Sequence, residues 1–192
     1  MLDLRSPTRP EWLSAVFGDF SAFLIDHAAC EKKAFSNGMA LVSRFPERQA
    51  LVTPLIAFAR EELEHFAAVH EILAARGLTL GRDEPDLYAK ELRTQVRPHG
   101  DDYLCDRLLV AGIIEARSCE RLCLLADALP SHEPALAGTY QELARAEARH
   151  HGLFFRLARQ ETGAARTEAR AEELLDFEAK LVAKLPLRAA VH

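Results

Sequence analysis

The feature that most constrains this chain is a pattern of Glu and His residues that occurs twice. In each half, a Glu precedes a Glu-x-x-His pair by 31 or 32 residues. Corresponding residues of the two copies are 84 or 85 positions apart. The two copies consist of Glu31, Glu62 and His65, and of Glu115, Glu147 and His150.

The spacing within each pair predicts helices that present metal ligands. Residues three apart on an α-helix lie on one face, about one turn from each other. A Glu from each of two helices, with a Glu-x-x-His from each of two others, is the ligand set of a carboxylate-bridged di-metal site in a four-helix bundle. The repeat therefore predicts four long helices around one such site.

The ligand candidates also share their helix faces with apolar residues at three- and four-residue steps. Glu31 follows Leu24 and Ala28, and Glu62 follows Leu55 and Phe58. Carboxylates are rarely buried unless they are paired or bind a metal, so four in one core need cations. Carboxylate and imidazole ligands favour iron or manganese over a structural zinc site.

Composition agrees with a helical, soluble protein. The 192 residues are 49% hydrophobic, 28% charged and only 7% aromatic, and the net charge is −5. This charge argues against a generally basic nucleic-acid binder. No apolar run has the length of a membrane span, and the N-terminus lacks the pattern of a signal peptide. We expect a cytoplasmic protein with no membrane partner and with reduced cysteines.

The helical pattern predicts an all-α, ferritin-like four-helix bundle with a crossover helix and an additional C-terminal helix. We expect a single domain over 1–192, with the bundle at about 11–163. Either Thr53 is the N-cap of the second helix and Pro54 lies near its first turn, or Pro54 kinks that helix. The expected helices span 11–44, a stretch ending at Arg76, 84–96, 101–129, 131–163 and 167–185.

Several residues near the ligand candidates have open roles. Arg117 and Arg121 either pair with carboxylates in the site or lie in solvent. The histidines at positions 27, 70 and 151 are interpreted as structural or surface residues. Four side chains about one turn from the ligands are candidates for the wall of a substrate pocket: Phe35, Phe66, Cys119 and Phe154.

Four motifs resemble the MiaE family, the tRNA hydroxylases that act on 2-methylthio-N6-isopentenyladenosine. The similarity covers the chain from Trp12 to about Leu157, and Ala146 stands where we expect Ser. The run around Glu115 is specific, because other di-iron bundles share the six ligands without it. The motifs are Asp26-His27-Ala28-Ala29-Cys30-Glu31-Lys32-Lys33-Ala34, Arg60-Glu61-Glu62-Leu63-Glu64-His65-Phe66, Gly112-Ile113-Ile114-Glu115-Ala116-Arg117-Ser118-Cys119-Glu120-Arg121 and Ala146-Glu147-Ala148-Arg149-His150.

The resemblance implies an O2-dependent, non-haem di-iron monooxygenase that hydroxylates the isopentenyl group of the modified adenosine beside the tRNA anticodon. The six ligands would act through two iron ions. Electrons would come from a separate reductase, because the chain has no flavin or nicotinamide fingerprint. Four basic residues are candidates for a tRNA-binding rim: Lys32, Lys33, Arg145 and Arg149.

Three other functions fit the ligand pattern alone. Ferroxidase or iron-storage subunits use the same six ligands. A di-iron or di-manganese peroxidase or catalase would turn over H2O2 without an organic substrate. A purely structural site would leave the protein unfolded, and no reaction lost, when its metal is removed.

Overall fold

The computed structural model describes residues 4–82 and 84–192, and within them the regular structure consists of helices and turns. The sequence also predicts an irregular lead-in over 1–10 and a turn over 77–83, and each of these includes residues outside the described ones. The helices are α1 (Glu11–Gly18), α2 (Phe20–Arg44), α3 (Gln49–Ala75), α4 (Leu87–Arg93), α5 (Gly100–Ala128), α6 (Ala137–Thr162) and α7 (Ala164–Lys184).

The chain divides into two compact units. The α2–α3 unit comprises Ser14–Glu84 and Arg188–Val191, and it contains most of α1. The α5–α6 unit comprises the chain up to Leu13, Pro85–Leu187 and His192, and it also contains α4 and α7. Each unit carries one copy of the Glu … Glu-x-x-His pattern, and the expected single domain stays a prediction.

Local signals set the ends of the helices in the α2–α3 unit. The helical stretch expected over 11–44 is divided into α1 and α2, because the Asp19 carboxylate caps α2 by accepting the Ala22 N–H at 2.9 Å. The third helix begins at Gln49, so Pro54 lies inside it and Thr53 is not its N-cap. Gly77, with φ of +67°, follows its C-terminus, as an αL cap requires.

The helix starts in the α5–α6 unit differ from the predicted ones. The crossover helix α4 is shorter than expected and begins after Asp86, whose carboxylate accepts the Ala89 N–H at 2.9 Å. The start of α6 is Ala137 rather than the predicted Ser131, because Pro130 and Pro134 open two short 3-10 turns instead. The last helix, α7, packs against α4, α5 and α6.

Both helix pairs approach closely at a glycine. A Cβ built on Gly38 in α2 would lie 2.9 Å from the ring of Phe58 in α3. A Cβ on Gly112 in α5 would lie 2.7 Å from the ring of Phe155 and 3.1 Å from the Cβ of Phe154, both in α6. These separations are shorter than carbon–carbon contact distances, so each glycine permits its helix pair to pack at this spacing.

We expect Gly112→Ala to lower the free energy of unfolding by about 1–3 kcal/mol, because the added methyl group overpacks the core against Phe155. The matched change Gly138→Ala, where a Cβ meets no atom within 4 Å, should be neutral or raise stability by up to about 1 kcal/mol. Denaturant unfolding of both variants measures the difference. Equal stability of the two variants would contradict the close approach at Gly112.

Asp106 links α5 to α7 and to the segment that follows α4. Its buried carboxylate accepts hydrogen bonds from the Arg97 side chain at 2.7 and 2.8 Å and from Arg170 Nε, in α7, at 3.0 Å. Burial alone would raise the pKa of Asp106, but the hydrogen bonds from Arg97 and then from Arg170 lower it below its ordinary value.

The lowered pKa of Asp106 makes part of the stability pH-dependent. A carboxyl group with a lower pKa in the folded state stabilises the fold fully above the unfolded-state pKa of about 3.9 and loses this effect as the pH falls towards the folded-state pKa. Asp106→Asn should therefore be less stable than the parent at pH 7, with a difference that narrows below about pH 4. The control Asp127→Asn, at an exposed carboxylate, should show no such narrowing in pH-dependent denaturant unfolding.

The described helices also bear on membrane association. Among residues 4–82 and 84–192, no single helix combines the length and the apolar content of a membrane span. The neighbouring helices α1 and α2 reach that length and composition only when counted together, as a pair bent at the break between them.

Candidate metal centre

The α2–α3 unit brings the first copy of the pattern together. Glu31 comes from α2, and Glu62 and His65 lie one turn apart on α3. His65 Nδ1 is 3.6 Å from Glu31 Oε2 and 3.7 Å from Glu62 Oε1. One ligand atom from each of the three side chains lies within 4.8 Å of the others, and both carboxylates are buried.

The α5–α6 unit does the same with the second copy. Glu115 comes from α5, and Glu147 and His150 lie one turn apart on α6. All three side chains are at most 5% exposed. His150 Nδ1 is 3.9 Å from Glu115 Oε2, and again one ligand atom from each residue lies within 4.8 Å of the others. Each unit therefore brings together the three side chains that the repeat groups, and their role as metal ligands stays a prediction.

The donor chemistry of each cluster fits a divalent metal ion. Bonds of about 2.1 Å from one ion to N and O ligands place two ligand atoms about 3.0–4.2 Å apart for angles between about 90° and 180°. The His–Glu separations of 3.6–3.9 Å fall in this range, and they are too long for hydrogen bonds. Two carboxylates buried side by side in each unit favour a bound cation, since unpaired buried charge is costly.

His27 is the residue near the site whose role the sequence analysis missed. It is 1% exposed, and its Nε2 lies 2.7 Å from Glu31 Oε1, while its ring packs against Phe23. Burial alone would raise the pKa of Glu31, but the hydrogen bond to His27, and then the proximity of His65, lower it. The signal was present in the sequence, because four residues separate His27 and Glu31 on one helix face.

The other two histidines whose roles the sequence left open, His70 and His151, have different surroundings. His151 donates from Nδ1 to the Gly112 carbonyl at 2.9 Å, and thereby links α6 to α5. His70 is exposed, with its ring centroid 6.1 Å from that of Phe66.

Arg117 takes neither of the two roles that the sequence left open. Its side chain is fully buried, and Nε and Nη2 donate to Glu178 Oε1 of α7 at 2.9 and 2.7 Å. Nη2 also donates to the Ser6 carbonyl at 2.8 Å, and Nη1 contacts Glu120. Burial alone would lower the pKa of Arg117, but the charges of Glu178, Tyr88 and Glu120 together raise it. The run after Glu115 therefore anchors α7 and the N-terminal segment.

Arg121 extends this anchor along α5. Its Nε donates to the Thr8 hydroxyl at 3.2 Å, and its guanidinium carbon is 5.4 Å from the ring centroid of Trp12. The Thr8 hydroxyl in turn donates to Glu120 at 2.7 Å. Burial, followed by the charge of Arg117, lowers the pKa of Arg121 to about 10. Arg117 and Arg121 thus contact the N-terminal segment, and Arg117 also contacts α7. These elements precede and follow the helices that carry the ligand candidates.

The four pocket candidates are divided between the units. Phe35 and Phe66 are half-buried in the α2–α3 unit, and Cys119 and Phe154 are buried in the α5–α6 unit. The Cys119 thiol donates to the Ala144 carbonyl at 3.3 Å. Burial, followed by the proximity of Cys123, raises the pKa of Cys119 to about 12, so the thiol stays protonated at neutral pH. A role for any of these residues in a substrate pocket stays a prediction.

The candidate rim residues are divided in the same way. Lys32 and Lys33 are half-buried on α2, where they line a groove of the α2–α3 unit. Arg145 and Arg149 lie exposed on α6 in the α5–α6 unit.

The chain is similar to one protein family and to named proteins from several bacteria. The sequence matches the family described as tRNA-(MS[2]IO[6]A)-hydroxylase (MiaE) over residues 2–192. A relative from Pseudomonas putida, named tRNA 2-(methylsulfanyl)-N(6)-isopentenyladenosine(37) hydroxylase, is 37% identical over 155 residues, which are 81% of this chain and 74% of that protein. A relative of the same name from Salmonella typhimurium is 35% identical over 137 residues, which are 71% of this chain and 49% of that protein.

A solved structure from Synechococcus, described as protein 43 with aldehyde deformylating oxygenase activity, is also similar. It has a TM-score of 0.92 and 35% sequence identity, and the match covers 98% of this chain and 94% of that one. This likeness confirms the predicted all-α, ferritin-like fold class. The family match over almost the whole sequence confirms the resemblance seen in the motifs, and the chain belongs to the MiaE family of tRNA hydroxylases.

Proposed function

We propose that this protein is an O2-dependent, non-haem di-iron monooxygenase that hydroxylates the isopentenyl group of 2-methylthio-N6-isopentenyladenosine in tRNA, next to the anticodon. Membership of the MiaE family and the activity named for two relatives support the reaction and the substrate. The observation that carries the proposal is that each unit presents two buried Glu carboxylates and one His imidazole as a compact ligand cluster.

The six side chains of the two clusters would hold two iron ions. Carboxylate and imidazole donors suit iron, and four carboxylates offset the positive charge of two divalent ions. When bound, the iron pair supplies the chemistry that activates O2 for insertion into a C–H bond. The proposed ligands are Glu31, Glu62, His65, Glu115, Glu147 and His150.

The four pocket candidates and His27 are proposed to shape the surroundings of these ligands. Phe35, Phe66 and Phe154 are proposed to form apolar walls that exclude water and accommodate the prenyl group. Cys119 suits such a wall because its thiol, with a pKa of about 12, carries no charge at neutral pH. The hydrogen bond from His27 orients Glu31.

The proposed reaction also implies which partners the protein needs and how its two units act together. The partners are tRNA and an external electron-transfer reductase that delivers the electrons O2 reduction requires. Because the ligand set is split between the units, we propose that residues 1–192 act as one di-iron domain, with the bundle at about 11–163 and α7 as an accessory helix. A tRNA substrate favours a cytoplasmic location.

The test is mass spectrometry of nucleosides from tRNA that contains the prenylated adenosine. Iron-loaded protein is incubated with this tRNA, a reductant and ¹⁸O-labelled O2. One labelled oxygen on the prenylated nucleoside is the expected result. Protein that holds two irons per chain but adds no label would overturn the hydroxylase assignment. A parallel reaction with an aldehyde substrate tests the activity named for the structural relative.

A further inference from the structure

A groove of about 430 Å³ lies in the α2–α3 unit, apart from the ligand cluster. One face of α2 forms one side, and the segments around Gly81 and Ala189 form the other. Its volume is within the range of about 300–1,000 Å³ that is typical of ligand-binding clefts. The charged residues of the described lining are Asp26, Lys32, Lys33, Arg82, Glu84 and Arg188.

The α2 face in this groove differs from the face that carries the ligand. Ala22, Ile25 and Ala29 recur at steps of three and four, as one stripe of a helix does, and Lys33 continues that stripe. At 100° per residue, Ala29 and Lys33 each lie about 160° from Glu31 around the helix axis. The groove therefore lies on the side of α2 away from Glu31, and a bound group there would not compete with a metal ion.

Positive charge dominates the described lining of the groove. Four cationic side chains face two carboxylates, although the whole chain has a net charge of −5. Glu84 already pairs with Arg188 at 3.2 Å, and Asp26 Oδ2 accepts the Val191 N–H at 2.8 Å. Arg188 is engaged by the same ion pair, and Lys33 Nζ donates to the Glu84 carbonyl at 2.9 Å. Four cations and two carboxylates leave the described lining with two net positive charges. A local positive surface on an acidic protein attracts polyanions.

The described lining also distinguishes a phosphate backbone from a nucleobase. Aromatic side chains, on which single-stranded bases stack, are absent from the described lining residues. Lys and Arg side chains, by contrast, are the usual partners of phosphodiester groups, and such contacts position a nucleic acid without reading its sequence. The groove therefore has the chemistry of a backbone contact and lacks that of a base-binding pocket.

We propose that this groove binds the phosphodiester backbone of the RNA substrate and thereby positions it for the reaction. The proposal rests on the proposed function, which supplies RNA as the substrate class. It assigns Lys32 and Lys33 to the RNA contact together with Arg82 and Arg188, none of which ligates the metal. It also separates them from Arg145 and Arg149, which lie exposed on α6.

Fluorescence anisotropy with an anticodon stem-loop RNA tests the groove. We expect Lys32→Glu and Arg188→Glu each to raise Kd about tenfold or more and to reduce the salt slope of log Kd by about 0.7 for each phosphate group that the variant no longer neutralises. The variants Lys180→Glu and Lys184→Glu make the same charge change at exposed positions of α7 and should bind RNA like the parent. Thermal unfolding and metal content verify that every variant is folded and loaded.

The outcomes distinguish a failure of the groove proposal from a failure of the hydroxylase assignment. Unchanged RNA binding by both groove variants, or a larger decrease in affinity in the α7 variants, would overturn the groove proposal while leaving the hydroxylase assignment intact. Competition by free phosphate as strong as by RNA would identify a small-anion site and would also overturn it. The groove proposal would also be overturned if the parent protein added labelled oxygen to tRNA and the groove variants did so with unchanged activity.

A second inference rests on the hydrogen bond between His27 and Glu31. Glu31 Oε1 lies 2.7 Å from His27 Nε2, whereas Oε2 is the oxygen that lies near His65. In the second copy of the repeat, Ala111 occupies the position four residues before Glu115. We infer that His27 is a positioning residue that makes Glu31 bind metal through Oε2 alone, and that the two metal positions are inequivalent. This inference also depends on the proposed metal set.

Titration of metal-free protein with Mn²⁺, followed by electron paramagnetic resonance, tests His27. We expect His27→Ala to weaken one of two binding steps about 10–100-fold, as the loss of a partner of a ligand typically does, and to leave the other unchanged. His27→Gln retains a donor and should restore part of the affinity, and His70→Ala is a matched control at an exposed position. Two binding steps of unaltered affinity in His27→Ala would overturn the positioning role.

Discussion

Replacing Glu178 with alanine is expected to lower the free energy of unfolding by about 3–5 kcal/mol, because it leaves the charge of Arg117 buried without its main partner. Both side chains are fully buried, and Glu178 Oε1 also accepts the Tyr88 hydroxyl at 3.0 Å. One carboxylate oxygen in α7 therefore receives hydrogen bonds from α4 and α5. Its loss affects the packing of three helices.

Thermal unfolding gives the measurement for Glu178→Ala. For a chain of this length each kcal/mol corresponds to about 2–4 °C, so the expected fall in Tm is about 6–20 °C. Glu173→Ala is the matched control, since Glu173 pairs with Arg170 on the same helix but is exposed and should change Tm little. If Glu173→Ala and Glu178→Ala gave the same Tm, the buried ion pair would not be a main source of stability.

The Glu178–Arg117 pair also changes how the most specific sequence motif is understood. The run after Glu115 carries the resemblance to the MiaE family, yet Arg117 and Arg121 contact α7 and the N-terminal segment. A motif can therefore identify a family through residues that hold helices in place. Activity in Arg117 variants would be lost through unfolding, with Tm and activity falling together.

The grouping of side chains on one helix face was predictable from the sequence. Glu62 and His65 cluster as the three-residue spacing predicts, and so do Glu147 and His150, because helix geometry alone puts them on one face. The break between α1 and α2 also follows a local signal, the Asp19 cap.

Features that depend on distant residues were not predictable in this way. Glu178 lies 61 positions from Arg117, and nothing in the sequence of α7 marks its partner.

Two local signals in the sequence were misinterpreted. The start of α6 was misplaced because Ser131 is a good N-cap by type, whereas two prolines favour 3-10 turns before Ala137. His27 was missed although its four-residue spacing to Glu31 is a local signal.

The variants Glu115→Ala and His150→Ala are expected to abolish hydroxylation and to reduce bound iron from two ions per chain to at most one. Loss of residues that merely support a ligand costs about 10–100-fold in metal affinity or activity, so loss of a ligand itself should cost at least about 100-fold. Elemental analysis of iron-loaded protein and the labelled-oxygen assay measure the two effects independently.

The fold should survive both changes, which separates a metal role from a structural one. Alanine removes a buried carboxylate or imidazole whose burial without a cation costs free energy, so the circular dichroism of the metal-free variants should match that of the metal-free parent. Glu142→Ala and His70→Ala make the same substitutions at exposed positions and should retain iron and activity. A Glu115→Ala protein that held two irons and hydroxylated tRNA normally would exclude Glu115 as a ligand and break the repeat on which the proposed site depends.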